Sequence, residues 1–136
     1  MADMALDLVT FVVEDYDEAI EFFVGPLGFS LVEDSPSLTE SGRAKRWVVV
    51  RPPDGGTGLL LAVADGDEQR RALGNQTGGR VAFFLRVDDF ALAYERMRAG
   101  GVEFLSEPRE ESYGNVAIFC DIAGNRWDLL GPRRDL

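Results

Sequence analysis

The sequence contains no histidine. That removes the commonest metal ligand and the commonest general base near neutral pH. It also excludes Ser-His-Asp and Cys-His catalysis within one chain. Cys120 is the only cysteine, so no disulfide can close within the chain. No apolar run approaches the ~20 residues that cross a bilayer, and no basic segment followed by an apolar stretch opens the chain. The expectation is a cytoplasmic protein with no membrane partner. Positive charge is scarce: 14 Lys and Arg stand against 24 Asp and Glu, for a net charge of −10. Phosphates would be repelled, so no nucleic acid is expected as a partner. An acidic surface mildly favours cationic partners, and its plainer reading is solubility.

What is present is a repeat. A length of 136 residues, 46% hydrophobic and 28% charged, suits one ordinary soluble domain with a real core. Within it, Val81–Met97 reads as a strand, a capped turn and an amphipathic helix. Phe90, Ala93, Tyr94 and Met97 are spaced to share one helix face. Tyr16, Ala19, Ile20 and Phe23 have the same spacing, and each lies 74 positions before its counterpart. Val13 and Val87, which end the preceding strands, keep the same offset. A period of about half the chain implies two similar modules packed as a pair.

Read in order, Leu6–Val13 is a strand, Asp15 is an N-cap with Glu18 in a capping-box position, and a helix runs to about Val24, stopped by Gly25 and Pro26. Phe29–Val32 is a short strand, Glu33–Lys45 a polar loop, Arg46–Arg51 a strand, Pro52–Gly56 a turn and Leu59–Val63 a strand. Asp67–Leu73 has the composition of a short helix, and Gly74–Gly79 is a loop too short and too far from any Walker pattern to cradle phosphate. The pattern then returns. Arg80–Val87 is a strand, Asp88 or Asp89 caps a helix, Gly100-Gly101 ends it, and Val102–Leu105, Asn115–Asp121 and Arg126–Leu130 are strands around a polar loop at Ser106–Gly114. The tail, Pro132–Leu136, reads as loose. The modules are therefore 1–63 and 80–131, with a linker over 64–79. Two βαβββ units give an α+β fold of eight strands in a cupped, mixed sheet, with helices on one face and concave faces left for a small molecule.

The stretches VVEDYDEAIEFFVGPLGF (12–29), RWVVVRPPDGG (46–56), RVDDFALAYERMRAGGVEF (86–104) and EPREESYGNVAIFCDIAGNRWDLL (107–130) resemble the vicinal-oxygen-chelate superfamily, which includes glyoxalase I, extradiol dioxygenases and the bleomycin and fosfomycin resistance proteins. The last stretch, with its Pro-Arg, Tyr-Gly and Asp-x-x-Gly-Asn-x-x-Asp pattern, is the most specific. The resemblance implies a homodimer. In metal-dependent members each module supplies one ligand from its first strand, typically His, and one from its last, Glu or Gln. Mapped through the repeat, with Arg51 set opposite Cys120, those positions are Leu8, Leu59, Ala82 and Asp128. Only Asp128 can ligate, and one carboxylate does not hold a divalent first-row metal. No cofactor is expected.

Side chains alternate along a strand. If Leu8, Leu59, Ala82 and Asp128 face the cup, so do Thr10, Val12, Leu61, Phe84, Arg86, Arg126 and Leu130, while Val9, Phe11, Phe83, Leu85, Trp127 and Leu129 face the helices. The expected ligand-binding set is Asp128, Arg86, Thr10, Phe84, Leu8, Leu59, Ala82 and Tyr113. An Asp in an apolar cup needs a partner, and Arg86 or a cationic ligand group would serve. Each residue also has a plainer reading. Arg86 at a strand end would pair with Asp88 or Glu14, Leu8, Leu59 and Ala82 would fill core, Trp47 and Trp127 would anchor packing, and Tyr113 would cap its loop.

Three functions remain. The first is a metal-free protein that binds a small, largely apolar organic molecule, such as a drug or metabolite to be sequestered. The second is a lyase, isomerase, transferase or dioxygenase of the superfamily, metal-dependent or using Asp128 as a base. The third is a partner-binding or scaffold role.

Overall fold

The structure, a computed structural model, describes residues 3–132. The chain divides after Arg71 into two compact units. The first holds β1 (Leu8–Val13), α1 (Tyr16–Val24), β2 (Ser30–Leu38), β3 (Ala44–Arg51) and β4 (Gly58–Val63), followed by the short α2 (Asp67–Ala72). The second holds β5 (Val81–Arg86), α3 (Phe90–Ala99), β6 (Arg109–Glu111), β7 (Gly114–Cys120) and β8 (Arg126–Gly131). Each unit carries one four-stranded mixed sheet, ordered β1-β4-β3-β2 in the first and β5-β8-β7-β6 in the second. In both, the first strand lies parallel to the last and the other pairs are antiparallel. The expected residues 64–79 are shared between the units, and of the expected tail only Pro132 falls among the described residues.

The repeat extends to the helix caps. The Asp15 carboxylate accepts from the Asp17 N–H at 2.9 Å, and the Asp89 carboxylate accepts from the Leu92 N–H at 3.1 Å. Each satisfies a first-turn donor that has no helical partner. Behind the caps, Ala19 and Phe23 of α1 and Phe90, Ala93 and Met97 of α3 are buried. In the first unit Phe11, Val13, Val48, Val50 and Leu61 cover α1's apolar face and are almost fully buried. In the second, Trp127, Leu129, Ala117 and Phe119 do the same for their unit.

Two stretches expected as polar loops are edge strands instead. Glu33–Leu38 continues β2, which forms a hairpin with β3 through a turn at 39–43, and Arg109–Glu111 forms β6. An edge strand with both faces solvated has no apolar alternation, so its sequence reads as a loop. Conversely, Val102–Leu105 is no strand; only Phe104 bridges to Phe119.

Asp121 organises the β7–β8 turn. One of its carboxylate oxygens accepts the N–H groups of Ala123, Gly124 and Asn125 at 2.9–3.0 Å, and the other accepts the indole N–H of Trp127 at 2.7 Å. Burial pushes the Asp121 carboxyl above the usual carboxylate range, and these donors draw it back. The Asn125 side-chain oxygen in turn accepts the Gln76 N–H at 3.2 Å. The Asp-x-x-Gly-Asn pattern is thus a turn clamp. Trp127 is the packing anchor expected of it, buried against Phe83 and Phe119.

The two hairpins differ in length, and this changes which residues face where. Val49 is opposite Leu60, and Ile118 is opposite Asp128. Ten residues separate the first pair and nine the second. The extra residue in the β3–β4 connection slips the register by one, which moves every side chain of β4 to the other face. Leu59 therefore lies beside Val9, and Leu61 beside Phe11, on the helix-covered face. The expectation that Leu59 and Leu61 face the open side is wrong; Leu60 and Ala62 do. Leu60 lies beside Thr10 as Asp128 lies beside Phe84, so Leu60 is the structural counterpart of Asp128.

Candidate functional site

On the second unit's open face Asp128 sits between Phe84 of β5 and Ile118 of β7. Phe84 is 64% exposed, a large bare ring on a strand. Asp128 is half-buried, and its Oδ1 is shielded from solvent without a hydrogen-bond partner among the described residues. Burial pushes its carboxyl above the usual range, and Arg109 draws it down. The expected partner, Arg86, makes no hydrogen bond or ion pair with it: Arg86 sits beside Leu130, one ladder step along, and its side chain is exposed. The cation near Asp128 is Arg109, which the sequence reading did not single out. Its Nε donates to Glu111 at 2.7 Å. The residue lay in the supposed loop, so only the strand geometry of β6 brings it to this face. Tyr113 stands in the tight turn after β6, 64% exposed. Ala82 falls at an irregularity in β5, where the register steps from Val81 to Phe83.

In the first unit Leu8 and Thr10 lie on the open face, Leu8 half-buried and Thr10 exposed. The four positions that the resemblance assigns to metal ligands are, after the register correction, Leu8, Leu60, Ala82 and Asp128. Three are apolar, as before. Among the described residues no three Cys, Asp or Glu side chains converge to hold a metal ion. A protein-held transition metal needs three or four such donors, so the residues present do not fit one.

The first unit also carries a pocket of about 710 Å³ that sequence reasoning missed. It arises because β3 and β4 part. Their ladder pairs Val50 with Leu59, Val49 with Leu60 and Val48 with Leu61, and stops there. The next pairs in that register would be Trp47 with Ala62 and Arg46 with Val63. Instead the Arg46 N–H donates to the Tyr16 hydroxyl at 3.2 Å, and the Asp65 N–H to the Gln69 side-chain oxygen at 2.8 Å. Trp47, Leu60 and Ala62 line the gap from the open face, with Trp47 39% exposed. An ion pair of 2.5 Å between Arg43 of the β2–β3 turn and Asp65 spans one end. It holds the Asp65 carboxyl below the usual range. Arg46 pairs with Asp34 at 2.7 Å and Asp17 at 3.0 Å, and its guanidinium stands 5.1 Å over the Tyr16 ring. The pocket thus joins an aromatic and aliphatic floor to a rim whose arginines are already paired. Trp47, expected to anchor packing, is instead available in this gap.

Set beside known proteins, the chain is similar to several of them. A protein of Shewanella frigidimarina, itself described only as uncharacterised, is 50% identical over 123 residues, covering 90% of this chain and 89% of its own. Among solved structures, UcmS2 aligns with a TM-score of 0.75 at 27% identity, over 96% of this chain and 98% of its own. TnmS3, an antibiotic binding protein from Streptomyces sp. CB03234, aligns with a TM-score of 0.74 at 28% identity, over 97% of this chain and 98% of its own. The family model for the Glyoxalase/Bleomycin resistance protein/Dioxygenase superfamily matches residues 5–129. With paired βαβββ units, matching caps and that near-complete match, the chain belongs to the Glyoxalase/Bleomycin resistance protein/Dioxygenase superfamily.

Proposed function

We propose that this protein binds a small, largely apolar organic molecule without a protein-held metal, in the manner of a drug- or metabolite-sequestering member of its superfamily. The observation that carries the reading is the first-unit pocket. Its volume of about 710 Å³ falls within the usual range for small-molecule sites, and Trp47, Leu60 and Ala62 give it an apolar side. Its arginines are engaged by Asp65, Asp34 and Asp17, and its other charged lining residues, Lys45 and Glu40, are opposite in sign, so the pocket carries little net positive charge to select an anion. The likeness to an antibiotic binding protein supports the same reading. Leu8 and Thr10, with Leu60 taking the place of Leu59, belong to this proposal as ligand-facing residues of the first unit, and Ala82, Phe84, Arg86, Tyr113 and Asp128 as those of the second. The reading extends to a cytoplasmic homodimer with no nucleic-acid partner, in keeping with the net charge of −10. Among the described residues no helix is long and apolar enough to cross a membrane.

One observation favours the enzymatic alternative, a lyase, isomerase or dioxygenase-like activity. Asp128 is a desolvated carboxylate with a raised pKa, and such a group is a workable general base. Two measurements separate the readings. A thermal-shift screen of aromatic metabolites and natural-product drugs on the intact protein should give stabilising hits that Trp47→Ala weakens. Stoichiometric Zn²⁺, Ni²⁺ or Fe²⁺ should not shift the melting temperature, and a clear shift would overturn the metal-free reading.

A further inference from the structure

Asp128 presents an unfinished interaction. A carboxylate moved out of water is costly unless a donor meets it. Its Oδ1 is shielded and meets none. Arg86 is not its partner, and Arg109, the nearest cation, is engaged by Glu111 at 2.7 Å. Arg109 and Glu111 pair with each other, and Arg86 and Arg126 stand exposed one ladder step away on either side, which leaves the Asp128 carboxylate as the unpaired charge of its own row. Its ladder neighbours are both apolar, Phe84 and Ile118, and Phe84 is 64% exposed. A strand rarely shows a bare phenyl ring to solvent next to a desolvated acid unless something covers both.

We propose that Asp128 is the seat of a cationic hydrogen-bond donor on the ligand, an ammonium or amidinium group, and that Phe84 is the surface on which the apolar group beside it lies. This deepens the binding function proposed above and rests on it. A cation fits better than a neutral donor because it cancels the one charge left over and stacks favourably near an aromatic face. A donor from the open face meets the carboxylate at its other oxygen, Oδ2, and the charge it cancels is delocalised over both oxygens. The neutral hydroxyl analogue would hydrogen-bond but leave the charge, and an anion would be repelled.

The test uses phenethylamine, 2-phenylethanol and phenylacetate as probes, each titrated into the intact protein at pH 7 and followed by ¹H–¹⁵N correlation spectra. Phenethylamine should shift the amides of Phe84, Ile118 and Asp128 and bind at least tenfold tighter than the other two. Asp128→Asn should remove that preference while keeping a dispersed spectrum and an undiminished melting temperature. Equal binding of the three probes, or a preference that survives Asp128→Asn, overturns the seat. So does a clear fall in melting temperature on Asp128→Asn, because it would mean that the carboxylate already has a structural partner. If no probe shifts these amides the seat is likewise refuted, whereas the wider binding function stands or falls separately on the thermal-shift screen and its dependence on Trp47.

Discussion

Replacing Asp121 by Ala should unfold the β7–β8 turn at a cost that can be worked from its bonds. The carboxylate is 6% exposed and accepts three backbone N–H groups and the Trp127 indole N–H. A hydrogen bond to a charged group is worth about 1.5–3 kcal/mol, and a buried donor left unmet costs about 1–3 kcal/mol. These do not add. The three N–H groups share one oxygen and can partly turn to water, and removing the carboxylate also removes its burial cost. The Trp127 N–H has no such escape, because Trp127 is 3% exposed. The net loss should be about 3–5 kcal/mol, or roughly 10–20 °C in melting temperature for a chain of this size. Asp121→Asn keeps one oxygen for the turn and should lose about half as much. Urea unfolding of the three proteins, with matched m-values, gives the comparison. A loss below about 1 kcal/mol for Asp121→Ala would refute the idea that this acid organises the turn.

Other outcomes follow from the register, the burial and the charge. Leu59→Ala should cost about 2–5 kcal/mol because Leu59 packs under the helix, whereas Leu60→Ala should cost clearly less and weaken ligand binding, and denaturant midpoints of the pair check the one-residue slip. The Asp128 carboxyl is raised above its ordinary 3.8 by burial, so the folded state holds that proton to higher pH than the unfolded state. Its contribution to stability is therefore present at low pH and lost as pH rises through the raised value. Asp128→Asn should flatten that part of the profile and be no less stable than the parent at pH 7, as urea midpoints at pH 4 and 7 will show. Acrylamide should quench the fluorescence of Trp127→Phe, which keeps the half-exposed Trp47, far more than that of Trp47→Phe, which keeps the buried Trp127. Gly114 has φ of 142°, and a Cβ there would stand 2.2 Å from the Gly131 carbonyl oxygen. Gly114→Ala should consequently cost several kcal/mol in unfolding experiments, roughly the range of a buried steric clash with backbone strain.

The architecture and the residues of the candidate site were legible in the chain itself to different degrees. The strand–cap–helix units at Leu8–Val24 and Val81–Ala99 were legible because helix and strand periods are local, and Asp15 and Asp89 announce their helices within a few residues. The apolar character of Leu8, Ala82 and the β4 position was legible too, whichever leucine stands there. Asp128 and Phe84 were placed on one face by alternation alone. Arg109 was not, because edge strands β2 and β6 are solvated on both sides and carry no apolar rhythm. The assignment of Leu59 failed for a related reason. Which leucine of β4 faces outward depends on one residue in a turn, and only pairing with β1 and β3 resolves it.

The amino-acid order by itself determined the duplicated α+β plan, the helix caps, the apolar residues at three of the four mapped positions and the acid at the fourth, Asp128. The folded chain alone decided that Leu60 rather than Leu59 is that acid's counterpart, that Arg86 makes no ion pair with Asp128, and that β3 and β4 part to open a pocket beside Trp47. The physical reason is that periodicity and capping act over a single turn or strand, whereas register and strand separation are set by backbone hydrogen bonds between segments far apart in sequence, where a one-residue difference reverses every side chain.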